Sequence, residues 1–276
     1  MKLVSLSSGS KGNATFICTD TTKVLIDCGI SAKKADEGLK ALGYSLSSLD
    51  AVLLTHEHSD HIRGVKRIMQ TCGIPVYATG GTLNNLSRVS GDEYFNYAGR
   101  ELMEEIYIEK EFNVGDISFL PFKIYHDVAE PCGYRIAADQ DGENLRRHAE
   151  FAVLTDCGHF DDRIADHLKL TDAMLLETNH DRGMLANGPY PMPLKRRIMS
   201  AVGHLSNNSA GQLIAEVMSS KLKSILLGHL SHENNTHELA LSTVREEVSR
   251  VYGSDVGAAL DMMVAPQEAV SRIIEI

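Results

Sequence analysis

The chain has no tryptophan, and its five cysteines (Cys18, Cys28, Cys72, Cys132, Cys157) are odd in number and scattered. No two of them form C-x-x-C, which excludes a zinc finger and a thioredoxin-like motif. They are read as small buried hydrophobes in a reducing compartment. No segment approaches the roughly 20 apolar residues of a membrane span. The opening "MKLVSLSSGSKGN" has no apolar stretch long enough for a signal peptide. These absences point to a soluble, cytoplasmic protein with no membrane partner. H-E-x-x-H is missing, so there is no zincin helix. G-x-S-x-G is missing, which argues against a serine hydrolase, and the G-K-[ST] ending of a P-loop is missing, which argues against nucleoside triphosphates. Basic charge is scarce as well. The net charge is −10, so a polyanion has to be met by a local basic patch.

What is present is an ordinary globular composition, 43% hydrophobic and 23% charged over 276 residues. A chain of this size buries roughly three quarters of its unfolded surface and needs no disulfides. Strand-like runs come first: "KLVSLS", "ATFICT" and "KVLIDC". "SAKKADEGLKALGY" reads as a helix capped by Ser31 and Gly43, and "HIRGVKRIMQTCG" as a helix ended by Gly73. The middle is β-rich ("EEIYIEKEF", "ISFLPFKIYH", "CGYRIAAD", "EFAVLTD"). The second half alternates strands ("AMLLETNH", "SILLGHLS", a closing "AVSRIIEI") with helices ("PLKRRIMSAVG", "SAGQLIAEVMSS", "HELALSTVREEVSRVY"). "ADQDGENLRRHAE" is the most polar break and reads as a hairpin loop. With no repeat, low-complexity tract or linker, residues 1–276 read as one α/β domain, sheets covered by helices.

Six apolar strands end in residues that bind metal or hold protons. "VLID" ends in Asp27, "VLLTHEHSDH" in a histidine cluster, and "FKIYH" in His126. "FAVLTD" ends in Asp156, "MLLETNH" in Glu177 and His180, and "SILLGH" in His229. Strand C-terminal ends in layered α/β folds gather along one edge, where sites form. Metal accounts for the crowding of His56, His58, Asp60 and His61 into six positions. In an extended segment His56 and His58 point to the same side, while Asp60 and His61 follow a turn and face a second ion. Imidazole and carboxylate donors without thiolate suit Zn, Fe or Mn. His148, His159, His167, His232 and His237 lack such a context and are read as structural.

"THEHSDH" matches H-x-H-x-D-H, so the chain resembles the metallo-β-lactamase superfamily, whose remaining motifs its strand ends follow in order over residues 1 to about 235. "SSGSKGN", "ETNHD", "GHLSN" and "GHLSHENN" resemble the YycJ-type (WalJ) branch. The resemblance implies a four-layer αβ/βα sandwich holding two divalent metal ions. His56, His58 and His126 would bind one, Asp60, His61 and His229 the other. Asp156 would bridge them, with Asp27 and His180 bracing from behind. The interval from 177 to 204 is too short for an inserted β-CASP-like domain.

The branch implies a nuclease, a 5′-to-3′ exonuclease on DNA, in which a metal-bridging hydroxide attacks phosphorus. Zinc is the first choice of metal, with Mn or Fe as alternatives. Asp60 would orient the nucleophile, and His204, held by Glu177, would protonate the leaving oxygen. Two further features touch the substrate in this reading. Ser10 and Asn13 sit in the Gly/Ser turn, which is either a phosphate cradle or a plain hairpin turn. Lys195, Arg196 and Arg197 form either a phosphate patch or a solvated helix face. Two rivals stay open: hydrolysis of a thioester, lactone or small phosphodiester on the same dimetal site, and a non-catalytic, metal-stabilised regulator. Oligomeric state has no sequence signal.

Overall fold

A computed structural model of the chain describes residues 1–140 and 147–276. The centre of the expected hairpin loop, 141–146, lies outside the described residues. The chain forms two compact units: Met1–Lys123, Val128–Ala149 and Pro266–Ile276 make the first, Ile124–Asp127 and Glu150–Ala265 the second.

The first unit opens with β1 (Lys2–Ser7), β2 (Ala14–Cys18) and β3 (Lys23–Ile26) in antiparallel register. The "DTT" turn closes on a Thr19 N–H to Thr22 O bond of 2.9 Å. β4 (Ala51–Leu53), β5 (Val76–Thr79) and β6 (Met103–Ile106) then add in parallel to β3. The parallel half has its ends on one edge, so the residues after β3 and β4 are neighbours. An antiparallel ladder of β7 (Phe112–Val114), β8 (Ile117–Lys123) and β9 (Cys132–Gln140) completes the strands met so far.

Helices α1 (Ala32–Ala41), α2 (Ser59–Ile62), α3 (Val65–Cys72) and α4 (Gly80–Ser90) belong to this unit. Ser31 caps α1, its side chain accepting from Lys34 N at 3.2 Å, and Ala32, Ala35 and Leu39 form the stripe that is buried. They join Phe16, Leu25, Val52 and Ile68 in one apolar core.

The second unit is a parallel sheet of β10 (Arg147–Leu154), β11 (Ala173–Glu177), β12 (Ser224–Gly228) and β13 (Asp261–Val264). Its strands are near-continuous apolar runs, as expected where both faces are covered. Six helices accompany it: α5 (Asp162–Leu168), α6 (Arg182–Asn187), α7 (Met192–Ile198), α8 (Asn207–Val217), α9 (His237–Tyr252) and α10 (Ser254–Ala259). The last strand, β14 (Ile274–Glu275), returns to the first unit and pairs with β1. No helix among the described residues is long and apolar enough to cross a membrane.

The structure departs from the sequence pattern in three places. "HIRGVKRIMQTCG" is not one helix, because the chain breaks between α2 and α3. A Cβ on Gly64 would lie 2.5 Å from both Cys28 Sγ and Ile30 O, and Gly64 N–H donates to Cys28 O at 2.7 Å. That close approach takes the backbone out of a continuous helix. "EEIYIEKEF" splits into β6 and β7, since Glu109 adopts φ 60° and donates its N–H to Pro121 O at 2.8 Å. The closing strand shrinks to two residues, and β13, which carries no clear period-2 pattern, was not anticipated.

Candidate metal centre

Three of the residues that follow strands here, Asp27 (φ 60°), Asp156 (φ 56°) and His229 (φ 55°), occupy the left-handed region, which non-glycine residues rarely enter. Each costs on the order of 1 kcal/mol and persists where surrounding contacts impose it. Nothing in residue type or periodicity predicts it.

In the first unit, Asp27 is the anchor. Its carboxylate accepts from Thr55 N (2.9 Å), Thr55 Oγ1 (2.8 Å) and His61 Nδ1 (2.8 Å). The Thr55 hydroxyl, having given its hydrogen to Asp27, is left to accept from His56 Nδ1 at 3.0 Å. Both rings therefore carry their proton on Nδ1 and their lone pair on Nε2, the state a metal ligand requires. Asn13 supports the assignment for His61. Its Oδ1 accepts from Gly9 N (2.9 Å), so its Nδ2 is the donor 3.0 Å from His61 Nε2. The His56 ring lies 4.8 Å from that of His58 and 4.0 Å from that of His61. Asp60 Oδ2 lies 3.8 Å from His61 Nε2. Gly29 makes this packing possible, since a Cβ there would fall 1.5 Å from Asp60 O. Ser10 is exposed at the tip of the turn.

Glu57, between the two ligand-like histidines, escaped the sequence reading. It is buried and faces the other way, accepting from Thr82 Oγ1 (3.3 Å) and Ala129 N (3.1 Å). The signal was there: in an extended segment residue 57 points opposite to 56 and 58.

In the second unit the organiser is Glu177, fully buried at the end of β11. Its Oε1 accepts from His204 Nδ1 and His229 Nδ1, each at 2.8 Å, and its Oε2 from Cys157 N (2.8 Å) and Leu205 N (3.0 Å). Burial pushes this carboxyl up, but the facing His204 and the bonds from both histidines outweigh it and hold it at about 2. It is thus an anion at every working pH. Asp156 Oδ1 lies 3.6 Å from His126 Nε2, 3.6 Å from His229 Nε2 and 3.5 Å from His204 Nδ1. His126 donates Nδ1–H to Gly203 O at 3.1 Å, so its lone pair is also on Nε2.

The donor chemistry of this set fits a cation. Two ligands at ~2.1 Å in a tetrahedral arrangement stand about 3.4 Å apart, close to the two 3.6 Å separations around Asp156 Oδ1. Asp156, Glu177, His204 and His229 each place a donor atom within 4.8 Å of the others. Thiolates do not compete, because burial pushes Cys28, Cys132 and Cys157 up to about 12.

Two of the expected phosphate-binding residues are engaged elsewhere. Lys195 is turned inward on α7, its Nζ bonded to Ala186 O at 2.7 Å, so it does not offer its charge to a phosphate. Arg197 holds Asp127 through Nη2 to Oδ1 at 3.0 Å, next to His126. Arg196 and Arg197 are both exposed, but only Arg196 has no such tie among the described residues. His180 is buried, with Nδ1 3.3 Å from Asn179 Oδ1, and fixes the 204–207 loop by its backbone, where Asn207 N–H donates to His180 O at 2.9 Å.

Residues 22–229 match the model of the beta-lactamase superfamily domain. Over 259 residues the chain is 35% identical to exodeoxyribonuclease WalJ of Streptococcus pneumoniae, covering 94% of this chain and 91% of that one. It is 36% identical over 261 residues to exodeoxyribonuclease YycJ of Bacillus anthracis, covering 93% and 92%. Its fold matches the crystal structure of the metallo-beta-lactamase fold protein YhfI from Bacillus subtilis, with a TM-score of 0.67, 18% identity and 98% of both chains covered.

Proposed function

Because the chain belongs to the beta-lactamase superfamily, in the branch of the WalJ and YycJ exodeoxyribonucleases, we propose that it is a zinc-dependent 5′-to-3′ exonuclease on DNA. The likeness to the two exodeoxyribonucleases supports a metal-dependent phosphodiester hydrolase of nuclease type, with nucleic acid as substrate. The two donor sets would serve one pair of cations: His56, His58 and His126 for the first, Asp60, His61 and His229 for the second, Asp156 for both. Bound there, divalent cations supply Lewis acidity, neutralising a phosphate oxygen and making a water acidic enough to ionise near pH 7.

The observation that carries the reading is the double grip of Glu177 Oε1 on two imidazoles. One carboxylate directs Nδ1 of both rings inward, so both Nε2 atoms are turned to the chemistry. His229 Nε2 is assigned to metal. His204, with part of its side chain in solvent, is assigned to the proton: as water attacks phosphorus, releasing one proton to solvent, and the bond to the leaving oxygen breaks, the imidazolium form of His204, its Nδ1–H held by Glu177, passes its Nε2 proton to that oxygen. The products are a phosphate monoester and a free hydroxyl, and His204 recovers its proton from solvent. Such help is worth ~10²–10⁴-fold. Asp60 orients the attacking water. Ser10 and exposed Arg196 are assigned to the phosphates of the strand, while Asn13, its amide engaged by Gly9 and His61, holds the Gly/Ser turn against the ligand cluster.

Metal analysis of the purified protein followed by end-labelled single- and double-stranded DNA and RNA tests this, with a thioester as counter-substrate. The expected result is release of mononucleotides from DNA 5′ ends, and a His204→Ala variant that keeps its metal while turnover falls ~10²-fold or more. Thioester cleavage without DNA cleavage overturns the reading, and a His204→Ala variant with normal metal and normal rate removes that residue from the mechanism.

A further inference from the structure

The turn of α2 has two faces. Asp60 and His61 lie on one, among the metal-binding candidates. Ser59, Ile62 and Arg63, spaced i, i+3, i+4, share the other and line a separate cavity of about 260 Å³ together with Lys66 and Phe95. The floor is apolar, Ile62 and Phe95 being 4% and 2% exposed. The rim is charged. Arg63 is exposed and donates from Nη1 to Lys11 O at 3.2 Å, tying the rim to the Gly/Ser turn. Lys66 is half-buried, its ammonium 5.7 Å above the Tyr94 ring and paired with Asp92. Two cations against one carboxylate leave the rim net positive, on a chain whose total charge is −10.

An apolar floor under a cationic rim accepts a group that is flat and apolar at one end and anionic at the other. The volume is near the lower bound for small-ligand pockets, ~300 Å³, which is room for one monomer unit and not for a duplex. The cavity also begins one residue from His58 and Asp60 along the chain. We propose that this cavity is a nucleotide subsite: a base or sugar lies against Ile62 and Phe95, and a phosphate of the substrate strand bonds Arg63 and Lys66. The assignment rests on the nuclease reading and names where the strand beside the scissile phosphate is held. Asp92 is the competitor of that phosphate for Lys66, so removing its charge strengthens binding, while removing the charge of Lys66 weakens it.

Calorimetry on the metal-free full chain, with thymidine 5′-monophosphate and thymidine as probes, separates phosphate from ring. Thymidine 5′-monophosphate binds about a hundredfold tighter than thymidine, the worth of two charge-assisted bonds at about tenfold each. Lys66→Met lowers its affinity about tenfold and leaves thymidine within about twofold. Asp92→Asn, whose amide oxygen still caps Tyr94 N–H (3.0 Å), raises nucleotide affinity about threefold. Equal binding of the two probes, or both variants shifting nucleotide affinity in the same direction, overturns the subsite.

Cleavage of 5′-phosphorylated and 5′-hydroxyl oligonucleotides then identifies which phosphate is held. A preference for the phosphorylated end that Lys66→Met abolishes places the terminal phosphate there. An equal loss on both substrates places an internal one. If the wild type cleaves neither oligonucleotide, the nuclease reading fails, and the calorimetry still decides the subsite.

Discussion

At the scale of single residues, function here hangs on which ring nitrogen carries a proton, and two carboxylates decide it. Asp27 and Glu177 each accept from Nδ1 of the histidines beside them. Glu177→Gln is nearly isosteric but removes the negative charge that faces two imidazoles and, with its oxygen kept toward them, places an amide N–H where the backbone donors of Cys157 and Leu205 point. The expected outcome is a fall of 10–100-fold in metal affinity through His229, together with the loss of proton donation by His204. Metal titration and single-turnover cleavage at saturating metal separate the two, and a variant with full metal content and full rate contradicts both roles. His180 gives a pH prediction of definite sign. Burial, ahead of the other influences, lowers it from 6.5 to about 4. The unfolded chain therefore takes up a proton near pH 6.5 that the folded chain refuses until about pH 4. Stability is unaffected above pH 6.5, falls as pH drops through that window, and levels below it, by about 3 kcal/mol in all. Denaturant melts of the metal-free protein at pH 7.5 and 4.5 measure the fall, and His180→Gln makes it smaller. An unchanged fall in that variant puts the acid sensitivity elsewhere.

At the scale of elements, the break between α2 and α3 is the feature on which the segment carrying the proposed metal ligands depends. It turns Asp60 and His61 toward one side while α3 packs Val65, Ile68 and Met69 into the core. Gly64→Ala forces a methyl into Cys28 Sγ and Ile30 O, and overpacking of this kind costs about 1–3 kcal/mol. Equilibrium unfolding measures it, and a loss below 0.5 kcal/mol, the ordinary scale of surface substitutions, means the turn relaxes freely. Gly64 also marks the limit of what the letters carry. Apolar period and turn residues made β1 to β3, α1 and the strands β10 to β12 of the second unit readable, because a strand end or an N-cap is a local property. The break at Gly64 was not readable, since its cause is Cys28 and Ile30, more than thirty positions away. The same holds for Lys195: three basic residues in a row look alike until the fold points one at Ala186 O and another at Asp127. The left-handed turns at Asp27, Asp156 and His229 are likewise consequences of packing around them.

At the scale of the whole molecule, an acidic protein is proposed to act on a polyanion. With Lys195 inward and Arg197 engaged, the cations assigned to phosphate reduce to Arg196 and the Arg63–Lys66 rim, three in all. For a single strand, log K falls against log salt by about 0.7 per neutralised phosphate, a slope near −2. Repulsion from the net charge of −10 works the other way. Raising salt screens it, with a Debye length of ≈ 10 Å at 0.1 M, so the observed slope is no steeper than this. Between 50 and 200 mM salt the metal-free protein should therefore lose affinity for labelled single-stranded DNA by about fifteenfold, against ~10³–10⁵ for proteins that grip six to ten phosphates. Arg196→Ala should flatten the slope by about 0.7. Fluorescence anisotropy across that salt range reads both numbers. A slope steeper than about −5 would require a basic surface that these three residues do not make, and a slope unmoved by Arg196→Ala would return that side chain to the solvated face of α7.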